Sequence, residues 1–220
     1  MKSTRLPGKV LMELEGRPLL WYALRALRRS PAVGRVILAT SFTAEDDPLE
    51  KWARDEDLPC VRGSEEDVLG RFYETACLFP DACYFRATGD NPFPDSGNPG
   101  RTLEVLLEQR ADYACETGMP VGAVVECFTR EALVRCHREA GGAEDREHVT
   151  LFMRRSGSFR TACFPAPEEY RCGGIRLTVD YPEDFRRAAR IAQALFREGE
   201  PDFGRVLDYC RRNPPESAFP

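Results

Sequence analysis

Short apolar runs alternate with amphipathic stretches along this chain, and the alternation predicts the architecture. After Pro18, Leu20, Leu24 and Leu27 recur at helical spacing opposite Arg25, Arg28 and Arg29, and Pro31 ends that helix. Residues 35–40 form an apolar run of strand length closing on Ser41. Thr43 is placed to cap a helix whose first turn carries Glu45, Asp46 and Asp47, which suits the helix dipole. Residues 58–61 read as a strand, and 63–67 lead into a helix bearing Val68, Leu69, Phe72, Ala76 and Phe79. Residues 82–87 read as a buried strand, stopped by Gly89-Asp90-Asn91-Pro92, with an amphipathic helix over 99–110. Strands follow at 112–115 and 122–128. Thr129 then caps a helix that Gly141-Gly142 breaks after Ala140. Asp145 starts a helix carrying His148, Val149, Phe152 and Met153; 159–164 and 175–179 are strands; 182–196 and 201–212 are helices. Strands alternating with helices predict an α/β sandwich around a mostly parallel sheet. One domain over 1–212 with a flexible tail at 213–220 is the simplest division, because no repeat or linker interrupts the pattern.

At 220 residues and 42% hydrophobic, the chain can bury one substantial core. Its net charge of −5 argues against a dedicated nucleic-acid binder. The charge is uneven: residues 1–36 hold eight Lys/Arg against two Asp/Glu, and residues 43–81 hold twelve Asp/Glu against four Lys/Arg. A basic front beside an acidic segment suits an anionic ligand, and solvated helix faces would give similar counts. The nine cysteines are scattered among apolar neighbours without C-x-x-C or zinc-ligand spacing, as in a reduced, cytoplasmic protein. Residues 1–9 lack the apolar stretch of a signal peptide, and the run 19–24 is too short to span a bilayer, so a soluble protein without membrane partners is expected.

Two places could carry chemistry. Near the start, Arg5 and Lys9 flank Pro7-Gly8, a turn whose exposed N–H groups could cradle an anion. The spacing is not that of a Walker loop, and a basic, disordered terminus is the competing reading. The second place is the pair Asp90 and Asp180, each following a predicted strand at the end where ligands of open α/β sheets gather. Neighbouring strands could unite them around Mg²⁺, which prefers oxygen ligands; alternatively each caps the helix that follows.

Several stretches resemble one family, the cytidylyltransferases that activate acidic sugars; the branch they resemble most is the spore-coat-polysaccharide type, related to the acylneuraminate and 3-deoxy-manno-octulosonate enzymes. The stretches are 3–9 (STRLPGK), 16–20 (GRPLL), 62–69 (RGSEEDVL), 86–92 (RATGDNP), 146–150 (REHVT) and 176–185 (RLTVDYPEDF), within a resemblance spanning roughly 1–197. It implies a three-layer α/β/α, Rossmann-like nucleotide-diphospho-sugar transferase fold. In the family a hydrophobic strand and an Ala-Arg-Met-Gly stretch come before the loop. Here Met1 stands at an internal Met of the family and Lys2 replaces the Gly, so the resemblance implies a fold lacking the family's first strand. That strand would lie mid-sheet, beside the one leading to Asp90.

The resemblance further implies roles. Asp90 and Asp180 would hold Mg²⁺. Ser3, Arg5, Gly8 and Lys9 would bind the CTP phosphates, and Gly89 would admit the nucleotide. Arg71 and Arg146 would hold an anionic sugar by bidentate pairing. Glu126 would accept sugar hydroxyls, and His148 would line the sugar pocket or sit as a hydrogen-bonded inward histidine. Glu65 and Glu66 read as compensation of a helix dipole. The implied reaction is a single displacement: Lys9, Asp90 and Asp180 act on CTP, an acidic sugar or sugar phosphate attacks, and pyrophosphate leaves. Partners would be these small molecules; a homodimer is compatible with the assignment and required by nothing in the pattern. Two other readings remain open: a nucleotidyltransferase using another NTP, and an inactive relative that binds without turnover.

Overall fold

A computed structural model describes residues 5–197 and 199–214. Ser3 and most of the expected tail lie outside the described residues. The chain opens with a 3-10 turn, Lys9–Leu11, and a hairpin of β1 (Glu13–Leu14) and β2 (Arg17–Pro18). Then come α1 (Leu19–Arg28), β3 (Leu38–Ser41), α2 (Asp47–Asp55), β4 (Cys60–Gly63), α3 (Val68–Leu78), β5 (Cys83–Arg86) and α4 (Asn98–Glu108). The second half holds β6 (Tyr113–Thr117), β7 (Glu126–Thr129), α5 (Arg130–Glu139), α6 (Ala143–Glu147), α7 (Leu151–Arg155), β8 (Thr161–Pro165), α8 (Pro182–Leu195) and α9 (Phe203–Arg212).

Four strands form a sheet in the order β5-β7-β6-β8. Strand β7 runs antiparallel to both β5 and β6, and β6 is parallel to β8. The period-2 alternation of strands builds the three layers. Tyr113 and Phe128 point to one face, packing with Leu69 of α3 and Leu133 of α5. Their neighbours Ala114 and Cys127 point to the other face, against Leu106 of α4. A third cluster joins α1, α8 and α9 through Leu19, Tyr22, Ile191 and Leu207. This is the three-layer α/β arrangement expected from the sequence.

The sheet is in two pieces. Strands β3 and β4 pair in parallel, and among the described residues no ladder joins them to β5. Strand β5 has the single partner β7, so its other edge is unpaired among the described residues. All four of its residues are accordingly half-buried, where the apolar run predicts burial.

Three local expectations differ from the structure. Residues 175–179 do not form a strand: Arg176 makes an isolated bridge to Val121, Leu177 N donates to Val121 O at 2.7 Å, and Val179 N donates to Asp90 O at 2.9 Å. The segment is extended but shared between two loops. The helix expected from Asp145 onward is broken, because Val149 takes φ 49°, a region costly for a β-branched residue. Thr43 makes no side-chain cap; its hydroxyl meets Ser41 Oγ at 2.7 Å, and a 3-10 turn precedes α2. Thr129 does cap α5, accepting from Ala132 N at 3.0 Å.

Candidate active site

Asp90 and Asp180, ninety positions apart, meet around one cation. Lys9 Nζ donates to Asp90 Oδ2 at 2.9 Å, to Asp180 Oδ1 at 3.0 Å and to the Val179 carbonyl at 2.6 Å. Two loops make this possible. Asp90 follows β5, in a turn closed by Asn91 N to Thr88 O. Asp180 precedes α8, and Asp184 in that helix's first turn accepts from the backbone N–H of Asp180 and Tyr181 at 2.9 and 3.0 Å. Asp184 therefore does the capping that the sequence reading allowed for Asp180, whose own carboxylate is left for the site.

Lys9 is only 8% exposed, although it follows a turn at the front of the chain. Gly8 takes φ 70° and leads the 3-10 turn that aims Lys9 inward. Arg176 donates to Asp180 Oδ2, and Arg5 stands 4.0 Å from Asp180 Oδ1 while donating to Tyr181 OH at 2.9 Å. Burial alone would raise the Asp180 pKa, but the hydrogen bond and charge of Lys9, with Arg176 and Arg5, hold it below the usual carboxylate range. Arg176 and the Val179 carbonyl are site groups the sequence reading did not single out. Their signal is the position of Arg176 four residues before Asp180.

The donor set suits a hard divalent cation. Two carboxylates and a carbonyl already converge on one positive centre, and all are oxygens. No group of three or more His, Cys, Asp or Glu placed to hold a metal occurs among the described residues. Magnesium needs no such cage, since it binds through one or two carboxylates together with substrate phosphates.

The other sequence-selected residues are placed as follows. Gly89 is packed close: a Cβ there would stand 3.1 Å from Leu20 Cδ1 and 3.5 Å from Val10 Cγ1. Arg71 is half-buried at the start of α3, and its Nε finds no hydrogen-bond partner among the described residues. Arg146 is committed to protein groups, donating to Asp67 Oδ2 and to the His137 carbonyl. Glu126 is similarly engaged: Arg86 donates to its Oε2 at 2.7 Å, and Tyr113 OH and Thr150 Oγ1 donate to its Oε1 at 2.6 and 2.9 Å. His148 is exposed at the end of α6, not on an inward helix face. A cleft of about 740 Å³ lies at the N-terminal ends of β3 and β4, beside Arg28, Arg35 and Arg54, and holds none of these residues.

Comparison with known proteins bears on the family and the fold. The sequence model of the family described as Cytidylyltransferase matches residues 1–201. The spore coat polysaccharide biosynthesis protein SpsF of Bacillus subtilis is 31% identical over 220 residues, covering 97% of this chain and 92% of that one. A solved cytidylyltransferase from Leptospira borgpetersenii superposes with a TM-score of 0.88 at 24% identity, over 97% of this chain and 91% of that chain. A CMP:2-keto-3-deoxy-manno-octonic acid synthetase solved in complex with CTP gives a TM-score of 0.66 at 17% identity, over 88% and 95%. At these identities the two structures speak for the fold alone.

Proposed function

Because the chain belongs to the cytidylyltransferase family, we propose that it transfers CMP from CTP to an acidic sugar or sugar phosphate, releasing pyrophosphate, in the assembly of a surface polysaccharide. The observation that carries this reading is the convergence of Asp90, Asp180 and the Val179 carbonyl on one cation position at the end of β5. Mg²⁺ held by Asp90 and Asp180 would neutralise charge on the α-phosphate. The acceptor oxygen forms its bond to the α-phosphorus as the bond to pyrophosphate breaks, so no covalent enzyme intermediate is needed. Arg5, half-exposed beside the pair, would reach the phosphates by giving up its contacts with Tyr181 and Asp180. Arg71, with its unpartnered Nε, is the better of the two candidate arginines for the sugar's anionic group, since Arg146 is held by Asp67.

The spore-coat protein supports a polysaccharide precursor as the acceptor. The test is pyrophosphate release from CTP, measured with and without Mg²⁺, across acidic, phosphorylated and neutral sugars. Release that needs both the ion and an anionic sugar is expected; release indifferent to the sugar, or faster with another NTP, refutes the assignment. A second reading, binding without turnover, draws on the edge of β5 that has no partner among the described residues. Saturable CTP binding without pyrophosphate release under any acceptor would favour it.

A further inference from the structure

We propose that Lys9 is the resident cation of the carboxylate pair: in the nucleotide-free protein its ammonium fills the place a divalent ion would take, and the ion enters by displacing it. The inference rests on the reading of Asp90 and Asp180 as an ion site and adds a device to it.

An ammonium has three N–H donors, and all three are used here, on Asp90 Oδ2, Asp180 Oδ1 and the Val179 carbonyl. Lys9 thereby presents to the two loops the same contacts that a small hard cation makes with oxygens. The two occupants exclude each other, because like charges repel strongly at contact distance in a partly dehydrated site. Asp180 is further occupied by Arg176 on its other oxygen, so the pair is already neutralised by protein cations.

The residue type fits the role. The chain uses Arg for 28 of its 31 basic residues, and Lys9 is one of three lysines. A guanidinium is a broad planar fork, whereas an ammonium is a compact point charge on a flexible stem. Only the latter fits between two carboxylates and can leave by side-chain rotation. Once displaced, the ammonium would remain beside the ion site, where nucleotide phosphates would gather. Ion and nucleotide would then bind together, each removing an obstacle to the other.

The experiment measures Mn²⁺ binding by electron paramagnetic resonance in the nucleotide-free protein, for wild type, Lys9→Met and Lys9→Met/Asp90→Asn. Methionine keeps the stem and removes the charge. Lys9→Met should bind Mn²⁺ at least tenfold more tightly than wild type, and the double variant should lose that gain. Equal or weaker binding by Lys9→Met overturns the displacement, while tight binding by both proteins leaves the ion-site reading standing. No binding by Lys9→Met overturns both. A second measurement uses the wild-type protein, so it does not depend on the variant folding. Lys9 should resist acylation by an N-hydroxysuccinimide ester, quantified by peptide mass spectrometry, and become reactive as Mn²⁺ is added, with Lys51 unchanged as the internal reference. Reactivity of Lys9 that is high from the start, or insensitive to Mn²⁺, overturns the proposal.

Discussion

Replacing Gly122 by Ala tests how the two carboxylate loops are held together. Gly122 takes φ 91°, and a Cβ there would stand 2.6 Å from Thr178 N, 3.0 Å from the Leu177 carbonyl carbon and 3.0 Å from Asn91 Oδ1. Asn91 directly follows Asp90, and Thr178 lies two residues before Asp180, so the added methyl group is driven between the two halves of the site. Gly8 is the control, with φ 70° and nothing within 4 Å of a Cβ. Both substitutions carry the left-handed backbone cost of about 1–2 kcal/mol, offset by about 0.4–1 kcal/mol from the less flexible unfolded chain. Only Gly122→Ala adds the overpacking cost of about 1–3 kcal/mol against backbone that cannot rotate away. Gly8→Ala should therefore cost about 1 kcal/mol and Gly122→Ala about 2–4 kcal/mol, a fall in Tm of roughly 5–12 °C for a chain of this size. Urea titration followed by circular dichroism gives the free energies, and Mn²⁺ affinity of the folded variant reports the separation of the carboxylates. Equal destabilisation by the two variants would refute the reasoning, because the close approach at Gly122 would then carry no energy.

Asp90→Asn should abolish pyrophosphate release while lowering stability by about 1–2 kcal/mol, an ordinary single-substitution cost; normal turnover would remove Asp90 from the ion site. Arg71→Ala should raise the KM for the sugar at least tenfold with the KM for CTP little changed, whereas a rise for CTP alone would move Arg71 to the nucleotide. Asp67 carries a pH signature: burial raises its pKa, but the hydrogen bond and charge of Arg146 and the bond from Gly70 N outweigh it and hold the carboxyl below its usual range. Because the folded pKa is depressed, the stabilisation is present above the unfolded value of about 4 and fades as pH falls through the folded one. Asp67→Asn, which can still cap α3, should cost about 1 kcal/mol at pH 7 and show a smaller loss of stability than wild type between pH 5 and about 2 in urea melts; parallel pH curves would contradict the pairing.

Local pattern alone determined much of this protein. The alternation at Tyr113-Ala114 and Cys127-Phe128 assigns residues to the two sheet faces, because a strand's period of two needs no partner to be read. Helices α1, α5 and α8 are legible for the same reason, their apolar stripes being bounded by Pro18, Thr129 and Pro182. The carboxylates Asp90 and Asp180 could be picked out at strand ends and in motifs, but their partner could not. Lys9 reaches them across 81 and 171 positions, and no local propensity encodes a contact of that span. It depends on α1 and α8 packing into one cluster and on the bridge that ties Val121 to Arg176. Tertiary structure likewise decided that Glu126 is spent on Arg86, Tyr113 and Thr150, and Arg146 on Asp67. A charged side chain in a motif reads the same whether it awaits a ligand or is already paired. Only the packing of the layers determines which charges meet inside the protein, because burial makes an unpaired charge costly and so selects the pairings that the fold can reach.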